Sequence, residues 1–432
     1  MTAETRADII GRLADDLAAL QKPIRVLHAL SWPESIADSF LASGGAEPPA
    51  IDSGWYARER PLSFDADALA DDFSAYRETV RADLGDDPVA AVLTRNAAEY
   101  WQLVQMLAAR GTPAFHQHSA ALYGSPRQSF DEQSLTLREL GSTLAEIIEG
   151  MSPMLPPGPA DLHEMDSQEV VDELDRRFRD YFHDDTPHVK LDDGIVADAA
   201  AGSDYVKIRE GASFTRRDVD QLEVHEGWVH IGTTLNGLAQ PVARWLAKGP
   251  PCTVEIQEGL AVLMEMLTFR MTPGRARKLN DRIVACDMAE QGTDFRGVFR
   301  YFCEQGLPER DAFRQAQRIF RGGTIDGGVC FTKDIVYMRG FVRIYNFLRS
   351  AIKLGRPDLV QFLFAGKVML DDLPLLAQMH ADGLLDAPRH VPAPFADPHG
   401  LATWLAYSNF FNRVELSRVH ERYRVLIAGD TA

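Results

Sequence analysis

The chain has 432 residues, 45% of them hydrophobic and 25% charged, with a formal net charge of −18. That length supplies a sizeable core in one to three domains, and the composition excludes extensive disorder. The negative charge argues against a nucleic-acid backbone or an anionic membrane surface as the main partner, because both repel such a chain.

The opening MTAETRADIIGRLADDLAAL reads as an acidic amphipathic helix rather than a signal peptide, and no apolar run approaches a membrane span. A cytoplasmic location is the expectation. Apolar residues at helical spacing predict helices over 5–20, 66–84 and 95–109, with a loop over 41–54. A helix predicted over 130–149 ends at Gly150 and runs into MSPMLPPGPA, whose prolines cannot continue it. This stretch separates a helical N-terminal region, 1–150, from a second unit, 151–432, which opens with a helix over 167–182. From 187 the pattern turns extended: PHVKLDDG, then SDYVKIREGASF, where Tyr205, Lys207 and Arg209 alternate against Val206 and Ile208. The strand YVKIREG is a candidate edge to which an extended peptide could add.

Thr215 and Asp218 are spaced as a capping box, and the helix they open carries VHEGWVHI, residues 224–231, in its interior. After a loop containing GLAQP and LAKGPP, an apolar helix begins near Glu255, and 276–385 reads as largely helical around the turn RGGTIDGG. The expected fold class is α+β, predominantly helical, with a small sheet preceding the helix of the motif. Four cysteines, Cys252, Cys286, Cys303 and Cys330, lack CxxC spacing and read as buried free thiols.

Within VHEGWVHI, His225 and His230 are five apart and flank Glu226. A hydrolytic zinc site needs two or three imidazole or carboxylate ligands and a nearby carboxylate to take a proton from water. Residues four apart share a helix face, whereas five residues at ~100° each place two side chains about 140° apart. A π-bulge closes that gap, so a widened turn is expected between the two histidines, eased by Gly227. The competing reading is a buried structural histidine pair. A third ligand is expected from the next helix, where Glu258 competes with Glu255 and Glu265.

The residues HEGWVHIGTTLNGLAQP and QEGLA, with FTKDIVY at 331–337, resemble the bacterial flavohaemoglobin expression-modulating QEGLA-motif proteins. These are similar to the microtubule-associated tyrosine carboxypeptidases (the MATCAP family) of zincin-like metallopeptidases. The match includes His225, Glu226, His230, Asn236, Gln240, Pro241 and Glu258 through Ala261. It implies a zincin-like core, Zn2+ held by His225, His230 and Glu258, Glu226 as general base, and removal of a C-terminal residue from a peptide or protein. Two departures bear on substrate choice: Gln257 replaces a glutamate of the tubulin-acting members, and GWV replaces an IGT-like triplet. Other classes that fit the sequence are a non-catalytic regulator that retains a zincin fold and a zinc amidase acting on a small molecule.

A carboxypeptidase must hold a terminal carboxylate with cations near the metal. Residues 310–356 contain ten Lys or Arg against three Asp, an excess of seven positive charges in an acidic chain. Most of these are expected to form a solvated face paired with acidic neighbours. Lys333 and Arg339 are the expected carboxylate-binding residues, with Arg318 and Arg321 behind them, and Tyr337 is the expected donor to a developing oxyanion.

Overall fold

The computed structural model describes residues 4–129, 135–151, 163–411, 413 and 423. Most of them are helical, and their strands form two small sheets. Local capping sets many boundaries. Helices Arg6–Gln21, Ala66–Leu84 and Pro88–Ala108 each start where the side chain of Thr5, Asp65 or Asp87 accepts from a first-turn N–H. The last begins before the predicted 95 because Asp87 caps it and Pro88 takes the first helical position. The predicted helix over 130–149 is observed as Leu137–Met151. Its predicted start and the proline-rich 152–160 lie outside the described residues.

Helix Ser167–Phe182 spans the predicted residues, with Asp166 and Glu169 completing a capping box. It packs beside a sheet of three strands ordered β2-β4-β3: β2 (His188–Asp192), β3 (Ala199–Ala201) and β4 (Tyr205–Arg209). β2 runs parallel to β4 and β3 antiparallel to it. Val206 and Ile208 are buried, as their alternation requires. Two shorter strands, β1 (Glu164–Asp166) and β5 (Ser213–Thr215), pair separately. The expectation that YVKIREG forms an edge is corrected here. β4 is the central strand, its main chain occupied on both sides, and the edges are β2 and β3.

A small core of Phe178, Phe182, Val206, Ile208, Phe214 and their neighbours joins this sheet to its helices. A larger one runs from Ile10 to Leu405 and draws helices from both ends of the chain around Pro251–Leu267. That helix is buried on nearly every side from Glu255 to Glu265, which explains the apolar run Leu260–Met264 between its buried polar residues. Its closest partner is helix Val336–Lys353, and the two backbones nearly touch. A Cβ on Gly259 would lie 2.1 Å from the carbonyl carbon of Gly340, and one on Gly340 would lie 1.9 Å from the carbonyl oxygen of Glu255. No side chain fits there. Gly259→Ala is therefore expected to destabilise the fold by about 3 kcal/mol. Urea unfolding checks this: the midpoint should fall with an unchanged slope.

Candidate functional site

The helix that Thr215 opens runs unbroken from 216 to 238 in three segments. The middle segment, Glu223–Ile231, is a π-helix, the widened turn that the five-residue spacing demands. Its i→i+5 hydrogen bonds bring residues five apart onto one face, as i→i+4 bonds do for residues four apart. The His225 and His230 rings stand 4.9 Å apart between centroids. Gly227 serves close packing, since a Cβ there would lie 2.3 Å from Cε1 of Phe178.

Glu258 faces this pair from helix Pro251–Leu267. Its Oε2 lies 3.4 Å from Nε2 of His225 and 3.5 Å from Nε2 of His230. Though buried, this oxygen has no hydrogen-bond partner. Ligand atoms of His225, His230 and Glu258 all fall within 4.8 Å of one another. Two imidazoles and a carboxylate are a donor set that zinc takes in hydrolytic sites, and an unpartnered oxygen between two ring nitrogens fits a cation at their centre.

The outer contacts fix which ring atoms face inward. Nδ1 of His225 meets Oε1 of Glu265 at 2.7 Å, leaving Nε2 toward Glu258. Glu265 is fully buried and also accepts from Arg275 and Gln221, so the former rival ligand positions His225 instead. Burial disfavours a charged His225, but Glu258 and Glu265 outweigh it and raise the imidazole to about 10. Burial likewise opposes a charged Glu258, yet Lys333 and the two histidines hold it well below the carboxylate range. On the other side, Gln257 Oε1 lies 3.4 Å from Nδ1 of His230 and accepts from Lys367 and Thr233. Lys367 also donates to the His230 carbonyl, and burial lowers it to about 7. Glu255, the other rival, pairs with Arg339 and Arg343.

Glu226 projects beside this cluster, and its Oε2 accepts from the N–H of Ala201 at 2.9 Å, tying the helix to the edge strand β3. A cavity of about 530 Å³ opens onto His225, Glu226, His230 and Glu258. Lys333, Arg318, Arg321 and Tyr337 line the same space. A second hollow of about 440 Å³ adjoins it through His230, Glu258 and Lys333, and reaches Lys367. Nζ of Lys333 donates to Oε1 of Glu258 at 3.2 Å. The Tyr337 ring lies nearly parallel to His225, with centroids 6.3 Å apart.

Arg339 is not brought to this cavity. Its guanidinium donates to the Tyr123 carbonyl at 3.0 Å and faces Glu255, which corrects its expected place beside the substrate. Arg321 gains importance in exchange: it is 4% exposed, lines the cavity, and its Nε has no hydrogen-bond partner. Arg318 is committed to Asp334 through two bonds of 2.6 and 2.9 Å. Other cations of 310–356 pair at the surface, as expected: Arg310 and Arg314 with Glu34, and Arg356 with Asp358.

Asn236 and Gln240 act as clamps on a distant segment. The Asn236 amide bonds the carbonyls of Phe364 and His390 and accepts from the N–H groups of Arg389 and His390. Gln240 makes the same two-way contact with the main chain of Asp386. Three contributions escaped the sequence reading: the positioning role of Glu265, Lys367 behind His230, and the Ala201 N–H. Only Glu265 left a signal, as an acid seven residues beyond Glu258 in an otherwise apolar run.

The family described as microtubule-associated tyrosine carboxypeptidase (MATCAP) matches residues 38–413, and the chain belongs to it. No curated protein matches the chain. No helix among the described residues is long and apolar enough to cross a membrane.

Asp334 holds the cationic side of the cavity together. Burial alone would raise its carboxyl, but Arg318 and Arg282 outweigh this and keep it well below the ordinary range. Its contribution to stability is thus complete above an unfolded value of about 4 and is lost as pH falls toward the folded value. Asp334→Asn should cost about 3 to 5 kcal/mol near neutrality by stranding Arg318, and should flatten the acid limb of the stability curve. Denaturant titrations of both proteins from neutral to acid pH would show it, and matching curves would refute it.

Proposed function

We propose that the protein is a zinc-dependent carboxypeptidase with a zincin-like core, in which His225, His230 and Glu258 hold the ion and Glu226 is the general base. The observation that carries this reading is the buried, unpartnered Oε2 of Glu258 between the two inward Nε2 atoms. Membership of the family described as a tyrosine carboxypeptidase supports the reaction class and suggests tyrosine as the residue removed.

When bound, zinc would supply Lewis acidity, lowering the pKa of a water and polarising the scissile carbonyl. The protein's own groups do the rest. Glu226, held by the Ala201 N–H, takes a proton from the attacking water and returns it to the leaving amine. Tyr337, stacked beside His225 on the cavity wall, is the donor we assign to the developing oxyanion. Arg321 is the carboxylate-binding residue, because Lys333 is already engaged by Glu258 and Arg318 by Asp334. The edge strand β3 takes over the main-chain binding first expected of YVKIREG.

Glu226→Gln is expected to retain zinc, measured by elemental analysis, while losing about 10²- to 10⁴-fold in kcat. Full activity in that variant would falsify the assignment. For Arg321→Ala, charge-assisted contacts of this kind predict a loss of about 30-fold or more in kcat/KM on peptides with a free C-terminus. C-terminally amidated peptides should resist the wild-type enzyme; equal cleavage of free and amidated peptides would instead support an amidase or endopeptidase.

A further inference from the structure

A second cluster of metal-ligating side chains lies apart from His225, His230 and Glu258. Helix Pro113–Tyr123 carries His116, helix Pro273–Glu290 ends in Glu290, and Cys330 precedes the segment bearing Lys333 and Tyr337. Ligand atoms of these three residues fall within 4.8 Å of one another. Sγ of Cys330 lies 3.7 Å from Nδ1 of His116, and Nε2 of the same ring lies 3.7 Å from Oε1 of Glu290. The two distances run from opposite nitrogens of the ring, so only one can be an edge of a single coordination shell; with one donor atom from each residue, all three stay within 4.8 Å.

Two further observations point to a ligand. The Glu290 side chain is 8% exposed, and its Oε1 faces the cluster without a hydrogen-bond partner. Its other oxygen is fixed by Ser125 Oγ at 2.6 Å, which orients the carboxylate. The His116 ring is held as well: Nδ1 bonds the carbonyl oxygen of Cys330 at 3.0 Å, so Nε2 is the nitrogen left for a ligand. Cys286, one turn before Glu290 and fully buried, neighbours the Cys330 thiol but stands outside the group of three.

We propose that His116, Glu290 and Cys330 form a second metal site for zinc or a similar borderline divalent ion. One sulfur, one nitrogen and one oxygen suit such an ion better than calcium or magnesium. The ion would tie three elements distant in sequence and anchor the segment that presents Lys333 and Tyr337 to the cavity. The partial exposure of His116 leaves a path of entry.

The full-length chain loaded with Co2+ provides the test, because thiolate ligation gives a near-ultraviolet charge-transfer band and the His225 cluster contains no sulfur. The band should be present in the wild type, persist in Glu258→Gln, and vanish in Cys330→Ser. Glu290→Gln, which keeps the side-chain shape, should retain the fold by circular dichroism yet need more Co2+ to develop the band. Absence of the band at saturating Co2+ in the wild type, or its survival in Cys330→Ser, would overturn the proposal.

Discussion

The contact between Gly259 and Gly340 sets the distances on which the candidate site relies. Two helices that cross with backbone against backbone admit almost no adjustment. Glu258 precedes one glycine and Tyr337 lies three residues before the other, so the carboxylate and the phenol are located by the same contact. The π-helix packs on Pro251–Leu267 from another side and adds the histidines. The glycine of QEGLA is therefore a spacing device, and a larger residue would move the carboxylate off the axis between the two Nε2 atoms.

Charge is arranged around that scaffold in layers. Innermost are His225, His230 and Glu258. Behind them, Glu265 with Arg275 steadies one histidine, and Asp334 with Arg318 steadies the cationic wall. A buried ion pair is weak as a source of net stability, since desolvation consumes most of its Coulomb attraction. Its value here is directional: each pair uses up one group's bonding capacity and so determines which atoms remain turned toward the cavity. Arg321 stands out because no carboxylate claims its Nε.

Local features of this structure were legible in the sequence because their causes are local. The Thr215–Asp218 capping box, the alternation in β4 and the apolar run after Glu255 each concern neighbours within one turn or one strand. The five-residue histidine spacing even carried the π-helix, since no regular α-helix brings both rings to one face. What stayed hidden depends on long-range pairing. The strand order put YVKIREG in the centre rather than at the edge, and Arg339, two residues after Tyr337 on one helix, faces Glu255 from the other side. His116 and Cys330, 214 residues apart, meet only through the packing of three elements, so cysteine spacing gave no hint of their cluster.

The two histidines also receive unlike support, and position 257 is the reason. His225 leans on Glu265, a charged acceptor at 2.7 Å, whereas His230 faces the neutral amide of Gln257 at 3.4 Å. A carboxylate acceptor strengthens an imidazole as a ligand more than an amide does. A glutamate at 257 would even out the pair and would also neutralise Lys367, whose ammonium now meets only neutral oxygens, those of Gln257, Thr233 and the His230 carbonyl. With glutamine the hollow beside His230 keeps a cation that burial has already weakened to about 7. The one-residue difference between QEGLA and EEGLA thus alters the charge of the wall of that hollow.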